Sequence, residues 1–247
     1  MLTHVEGIVI KTQNYGETHK IITILSKEMG KISAICRGVN KVKSRLQAVT
    51  QPFIRATFLI YVTKGLSTVQ QGEVLDSYRS IREDIIKTAY AAYIAELTNK
   101  LVEDKQKIAS LYNQLMLTLN WIHANESYTI PVIMYELKMF QIGGFAPVVD
   151  YCVHCGRKEE PYTFSIREGG LLCSHCTSMD EHAIHLPPAL PKILATCKEV
   201  GIEQVGNISM KEENIKLLRQ ILDNYYEQYG GFTLKSKRFL NQIDRLS

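Results

Sequence analysis

A chain of 247 residues, 45% hydrophobic and 22% charged, has the apolar material for a sizeable core and the length for two or three compact units. No apolar run approaches the roughly 20 residues that span a bilayer. The opening MLTHVEGIVIKTQ also lacks the basic-then-apolar order of a signal peptide, so a cytoplasmic protein with no membrane partner is expected. The net charge of +4 is mild but uneven, with eleven Lys/Arg against five Asp/Glu in residues 1–80.

The first 76 or so residues read as strands: HVEGIVIKT, HKIITILS, KISAICRG, PFIRATFLIYVT and LSTVQQGEVLD are rich in Val, Ile, Thr and aromatics. Turn signals around Gly16, Gly30 and Gly65 separate them, and one longer basic connection fills residues 37–51. Five such strands suit a small closed barrel, of which an oligonucleotide-binding (OB) barrel is the economical form, because closure removes the sheet edges. An SH3-like barrel or a small sandwich satisfies the same pattern.

From Ser80 the period changes. Ile81, Ile85, Ile86, Ala89, Tyr93, Leu97 and Leu101 fall on one helical face. KIASLYNQLMLTLNWIHA gives a second helix, with Leu111, Leu115, Leu119 and Ile122 inward. A third starts with Thr129 as N-cap and stops at Gly143 and Gly144. PPALPKILATCKEV, MKEENIKLLRQILDNYYEQY and SKRFLNQID read as further helices. The expected fold is therefore α+β and multidomain: a barrel over residues 1–79, then an all-α domain over 80–247, interrupted at 148–186 by a cysteine module.

That module supplies the strongest chemical motif. Cys152, Cys155, Cys173 and Cys176 form C-x2-C-x17-C-x2-C, the spacing of a four-thiolate zinc site. Four thiolates leave no open position for water, so the site is structural rather than hydrolytic. His154, His175, His182 and His185 lie beside it and read as loop or supporting residues. Its loop balances Arg157, Lys158 and Arg167 against Glu159, Glu160 and Glu168, unlike a groove-reading finger that presents cations to phosphates. Cys36 and Cys197 have no close partner in sequence and read as buried, inert thiols.

The second motif is RGVNKVKSRLQAVTQPF. No acidic residue lies between Glu28 and Glu73, whereas Lys31, Arg37, Lys41, Lys43, Arg45, Arg55 and Lys64 all do. Unmixed charge points to a polyanionic partner, with a solvated basic face as the plain alternative. Long cations on a loop of a small barrel can track a sugar–phosphate backbone beside a face on which bases stack. Tyr15, Phe53, Phe58 and Tyr61 are the candidate platforms, about half of which strand alternation turns to the core. Lys235, Lys237 and Arg238 form a smaller cationic cluster that extends such a track or faces solvent. No G-x-x-x-x-G-K-[ST], H-E-x-x-H or G-x-S-x-G occurs, and the paired carboxylates Glu83/Asp84 and Glu212/Glu213 sit at helix starts, where the dipole favours them. The residues thus give no catalytic site. They leave open a zinc-ribbon adaptor that docks a protein partner, its basic loop incidental.

EGIVIKTQNYGETHKIITILSKEMGKI, RGVNKVKSRLQAVTQPF, ELKMFQIGGFAPVVDYCVHCG, the second C-x-x-C and KSKRFL together resemble the RecO family of bacterial recombination mediators, end to end. The resemblance implies an N-terminal OB-fold, a central helical domain and an embedded Zn2+ site. It also implies recombination mediation without catalysis: binding of single- and double-stranded DNA, annealing of complementary strands, and action on strands coated by single-strand binding protein (SSB). SSB, through its C-terminal tail, and RecR are the implied partners, with a functional link to RecA loading and in some settings to RecF, and a nucleoid-associated location. Lys31, Arg37, Lys41, Lys43 and Arg45 are the positions to which DNA contact carries over.

Overall fold

The computed structural model describes residues 1–108 and 110–243. The five strand-like segments pair as β1 (Leu2–Tyr15), β2 (His19–Ser26), β3 (Gly30–Cys36), β4 (Arg55–Tyr61) and β5 (Ser67–Asp76). They close into a barrel in the order β1-β2-β3-β5-β4, antiparallel except where β3 runs parallel to β5. This closure is that of an OB barrel, and it decides among the three architectures the sequence allows. The fourteen-residue β1 serves two partners: its first half pairs with β4 from Leu2↔Tyr61 to Ile8↔Arg55, and its pairing with β2 runs from Gly7↔Ser26 to Tyr15↔His19. Val5, Val9, Ile22, Ile24, Ile32, Ala34, Phe58, Ile60 and Val69 fill the interior.

The chain forms two compact units, one of Met1–Glu126 with the chain from Leu234 onward, the other Ser127–Thr233. The first adds to the barrel α1 (Arg79–Glu83), α2 (Ile85–Leu101) and α3 (Leu111–Ala124). The single helix expected from Ser80 to Leu101 is broken at Asp84. Its extended backbone lets the carboxylate accept from the amides of Ile86 (2.8 Å) and Lys87 (3.0 Å), capping α2. The break turns Ile85 (65% exposed) and Ile86 out of the apolar face, while Ile81, Ala89, Tyr93 and Leu97 stay buried. Of the second helix's expected span, Ala109 lies outside the described residues.

Helices and barrel are joined by polar bonds within this unit. The Tyr112 hydroxyl donates to Glu6 (2.6 Å), and Arg55 bridges Glu6 (2.7 Å) and Asp76. Tyr78 donates to Asn120 (2.7 Å). The Glu6 carboxyl is held below its ordinary value by the Tyr112 hydroxyl, against partial burial and with help from Arg55.

The second unit begins with α4 (Thr129–Ile142). Thr129 is its first helical residue, Tyr128 being the cap, and at the far end Gly144 (φ 77°) supplies the left-handed stop while Gly143 stays right-handed. Then follow β6 (Tyr162–Ser165), β7 (Gly170–Cys173), β8 (Ile184–His185), α5 (Leu190–Glu199) and α6 (Glu212–Tyr229). α6 packs on α4 through Phe140, Tyr225 and Tyr226 and through Arg219, which donates to the fully buried Glu136 (2.5 Å) and to Asp223 (2.7 Å). The last helix, α7 (Lys235–Ile243), returns to the first unit and packs on α2; Asp244 of its expected span lies outside the described residues. Among the described residues no helix is long and apolar enough to cross a membrane.

Candidate nucleic-acid interface and metal centre

β3 ends at Cys36, and the chain does not rejoin the sheet until Arg55. Gly38 (φ 68°) takes the left-handed turn out of the strand, and its amide donates to His19 Nδ1 (2.9 Å). Asn40 is tied to the β1–β2 turn through the carbonyls of Thr18 (3.1 Å) and Glu17 (3.3 Å). Val39 and Val49 are buried in the barrel core, with Leu46 packed against it, so both ends of the excursion are anchored. The span between them faces water: Arg37, Lys41, Lys43 and Arg45 are all exposed, and Val42 at the tip is 93% exposed. Among the described residues, none of these four cations is in an ion pair with a carboxylate within 4.0 Å. Four uncompensated cations on one short excursion create the local positive potential that a phosphate backbone neutralises.

Lys31 is placed differently. It lies on β3, 9% exposed, with Nζ donating to the Asn99 carbonyl (3.0 Å) at the end of α2 and paired with Asp104 (3.2 Å). Its charge is spent on fastening the 99–105 segment to the barrel. The aromatic candidates divide as alternation requires: Phe53 and Phe58 are buried, Tyr15 and Tyr61 about half exposed. Tyr15 stands at the start of the turn that Asn40 grips, so it borders the basic span. The supporting roles of His19 and Asn40 leave no trace in the sequence, because both depend on where a distant turn lies.

The four cysteines come together in the second unit. Each offers Sγ within 4.8 Å of the other three, and Cys155 Sγ is 3.7 Å from Cys173 Sγ. A tetrahedral thiolate-bound ion with bonds near 2.3 Å needs sulfur–sulfur edges of about 3.8 Å, so the donor set fits zinc. One knuckle is closed by Cys152 donating its amide to the Arg157 carbonyl (2.8 Å), the other by Cys176 donating to Cys173 (2.9 Å). β6 and β7 pair from Tyr162↔Cys173 to Ser165↔Gly170, and Val153 donates to Leu171 (2.7 Å), which brings the knuckles to one point. Burial opposes the Cys152 thiolate, but backbone amides, that of Cys173 first, outweigh it and bring the thiol down to about 6.

The histidines near the cysteines are outside the ligand set, and His175 faces Glu159 instead (3.5 Å). Arg157 also lies against Glu159 (3.9 Å) and Arg167 against Glu168 (3.0 Å), so the loop's charges cancel in place. Two residues the sequence did not flag brace the module. Asp180 accepts from Ser165 Oγ (2.5 Å), and Tyr229 of α6 donates to the carbonyls of Ile166 (2.9 Å) and Arg167 (2.8 Å). Cys36 and Cys197 are buried away from this cluster, and burial pushes their thiols up to about 12 and about 11.

An OB barrel with a bare cationic excursion, followed by helices that carry a cluster of four cysteines able to hold a metal ion, defines a multidomain OB-fold protein. The chain belongs to the recombination protein O (RecO) family: residues 1–78 match the family described as Recombination protein O N terminal, and residues 82–238 match Recombination protein O C terminal. It is 53% identical to the DNA repair protein RecO of Oceanobacillus iheyensis over 99% of this chain and 95% of that one. Identity to the protein of the same name from Bacillus subtilis is 41%, over 100% and 96%.

Proposed function

We propose that this RecO-family DNA-repair protein is a non-catalytic recombination mediator whose grip on DNA is the excursion bearing Arg37, Lys41, Lys43 and Arg45. The observation that carries the reading is the exposure of these four cations without a carboxylate in salt-bridge range among the described residues. Such a grip is electrostatic and tolerant of sequence, because phosphates look alike along any strand. It therefore serves both single- and double-stranded DNA, and Tyr15 adds a stacking surface where bases are unpaired. Lys31 is left out of this contact set and assigned to holding the barrel against the 99–105 segment.

Strands bound through phosphates keep their Watson–Crick edges free, which is what annealing of complementary strands needs. In this reading the protein acts on SSB-coated strands by docking the SSB C-terminal tail, and with RecR, and in some settings RecF, it assists RecA loading in the nucleoid. Zn2+ held by Cys152, Cys155, Cys173 and Cys176 supplements the small apolar core of Phe164, Leu171 and Leu172, and takes no part in chemistry.

The test is a titration of the whole protein with bare oligo(dT) across a salt series, with Lys41→Ala/Lys43→Ala/Arg45→Ala alongside. Each phosphate contact contributes a slope of about −0.7 in log K against log[salt], so losing three flattens the plot by about 2. Affinity that does not change on removing these cations would sink the assignment. Weak, salt-independent binding by the unaltered protein would instead favour an adaptor that docks a protein through its zinc hairpin.

A further inference from the structure

The first unit also holds a cleft of about 800 Å³, within the size range of ligand-binding clefts. Ile10 of β1, Phe53, and Ala92 and Ala95 of α2 give it an apolar floor. Its rim takes one exposed cation from each of four elements: Lys11 from β1, Arg82 from α1, Lys100 from α2 and Lys235 from α7. Among the described lining residues Glu96 is the single carboxylate, and it is turned to the start of α7. There it accepts from the amides of Lys235 (3.3 Å) and Ser236 (2.8 Å) and from Ser236 Oγ (2.5 Å). Among the described lining residues, cations therefore outnumber carboxylates.

The cleft and the cationic excursion share one stretch of chain. Pro52 and Phe53, which close one wall, are among the last residues of that same connection, and Thr12 Oγ1 fastens it by donating to the Thr50 carbonyl (2.9 Å). Phe53 is held at φ 68°, a region a bulky residue rarely enters. Its amide donates to Val9 (2.8 Å), and Val9 donates in turn to Ile54 (3.0 Å). Strain of this kind, pinned by its neighbours, is characteristic of ligand clamps.

We propose that this cleft is a second nucleic-acid subsite. It receives the continuation of the single strand gripped at residues 37–45, with an unstacked base on the apolar floor and flanking phosphates on the rim cations. The inference rests on the DNA-binding reading above. A strand fits better than an acidic peptide because it carries a charge at every unit and so engages cations on four separate elements. The wall at Pro52–Phe53 also ends the same connection that carries the gripping cations.

The experiment measures fluorescence anisotropy of labelled oligo(dT) of increasing length with the whole protein over a salt series. Ala92→Trp fills the floor, and Lys11→Ala/Lys235→Ala strips part of the rim from the surface, where folding is not at stake. Ala92→Trp is expected to weaken long oligomers about tenfold, the worth of one stacked base, while leaving oligomers too short to reach beyond the loop unchanged. The rim pair is expected to flatten the long-oligomer salt slope by about 1.4. If the loop variant weakens binding but both cleft variants match the parent at every length, the subsite is refuted and the DNA-binding reading stands. If no oligomer binds the parent protein, the reading itself falls and the subsite with it. If the rim pair loses a labelled Asp-rich peptide ending in Phe while holding oligo(dT) normally, the cleft is a protein-docking site and the proposal is overturned.

Discussion

Lys31→Ala tests whether Lys31 is structural while other lysines of the same acid-free stretch are the proposed DNA contacts. Nζ makes two contacts: a charged hydrogen bond to the Asn99 carbonyl at 3.0 Å and an ion pair with Asp104 at 3.2 Å. The Lys31 side chain is 11% exposed, so loss of the first bond strands a carbonyl in the last turn of α2, at a cost of about 1.5–3 kcal/mol. Asp104 is 71% exposed, and its pair adds well under about 1 kcal/mol, because water solvates that carboxylate once the lysine is gone. The sum is about 2 kcal/mol, or a fall in Tm of roughly 5–10 °C for a unit of this size. Circular dichroism melts give the stability, and oligo(dT) anisotropy well below the melt gives the affinity. The expected result is a lower Tm with unchanged DNA affinity and salt slope. Lys41→Ala/Lys43→Ala/Arg45→Ala should show the reverse, since Ala keeps the Cβ that Lys43 already carries at its φ of 69°. An unchanged Tm with a salt slope shallower by about 0.7 would refute the reasoning and return Lys31 to the DNA contacts.

Cys173→Ser should take bound zinc from one per chain to a small fraction and cost several kcal/mol of stability, with oligo(dT) affinity of the folded protein unaltered; metal analysis and chelator-dependent melts check this. Tyr229→Phe removes the hydroxyl that donates to Ile166 and Arg167, and should cost about 1–2 kcal/mol in urea unfolding without changing zinc content. The Glu6 carboxyl is depressed in the fold, so its stabilising contribution is full above its unfolded pKa and is lost as pH falls through the folded one. Tyr112→Phe should therefore lower the urea midpoint above about pH 5 and converge toward the parent in more acid solution. A constant offset across the pH series would place the tyrosine's contribution outside its bond to Glu6.

Period alone carries the strand and helix order, because buried positions repeat at two or near 3.6 residues whatever they pack against. The limits of that signal are visible at particular residues. Ile85 and Ile86 continue the apolar spacing of Ile81 and Ala89, yet Asp84 caps a new helix between them, and a cap that competes with a continuous face is decided by tertiary packing. Which barrel the strands close into depends on β3 meeting β5 in parallel, a pairing between segments some thirty residues apart that no local pattern encodes. The cysteine cluster was legible because metal chemistry fixes both residue type and spacing. The cation set was legible in sign but not in exposure. Lys31 and Lys43 carry the same charge in the same acid-free window, and the contacts of Lys31 with Asn99 and Asp104 are not legible there.

That difference has an energetic consequence. Unpaired cations at Arg37, Lys41, Lys43 and Arg45 repel one another, and the excursion holds its shape because Val39 and Val49 are sunk in the core while His19, Thr18 and Glu17 bind its first turn. The loop between the cysteine pairs, by contrast, sets Arg157 against Glu159 and Arg167 against Glu168. A polyanion that relieves the repulsion in the excursion should raise the protein's Tm, and raise it most at low salt, where the repulsion it removes is largest. The same salt dependence must then appear in oligo(dT) affinity and in the Tm increment. Agreement between the two in the parent, and its loss in Lys41→Ala/Lys43→Ala/Arg45→Ala, is the result expected if the strand lies on these cations.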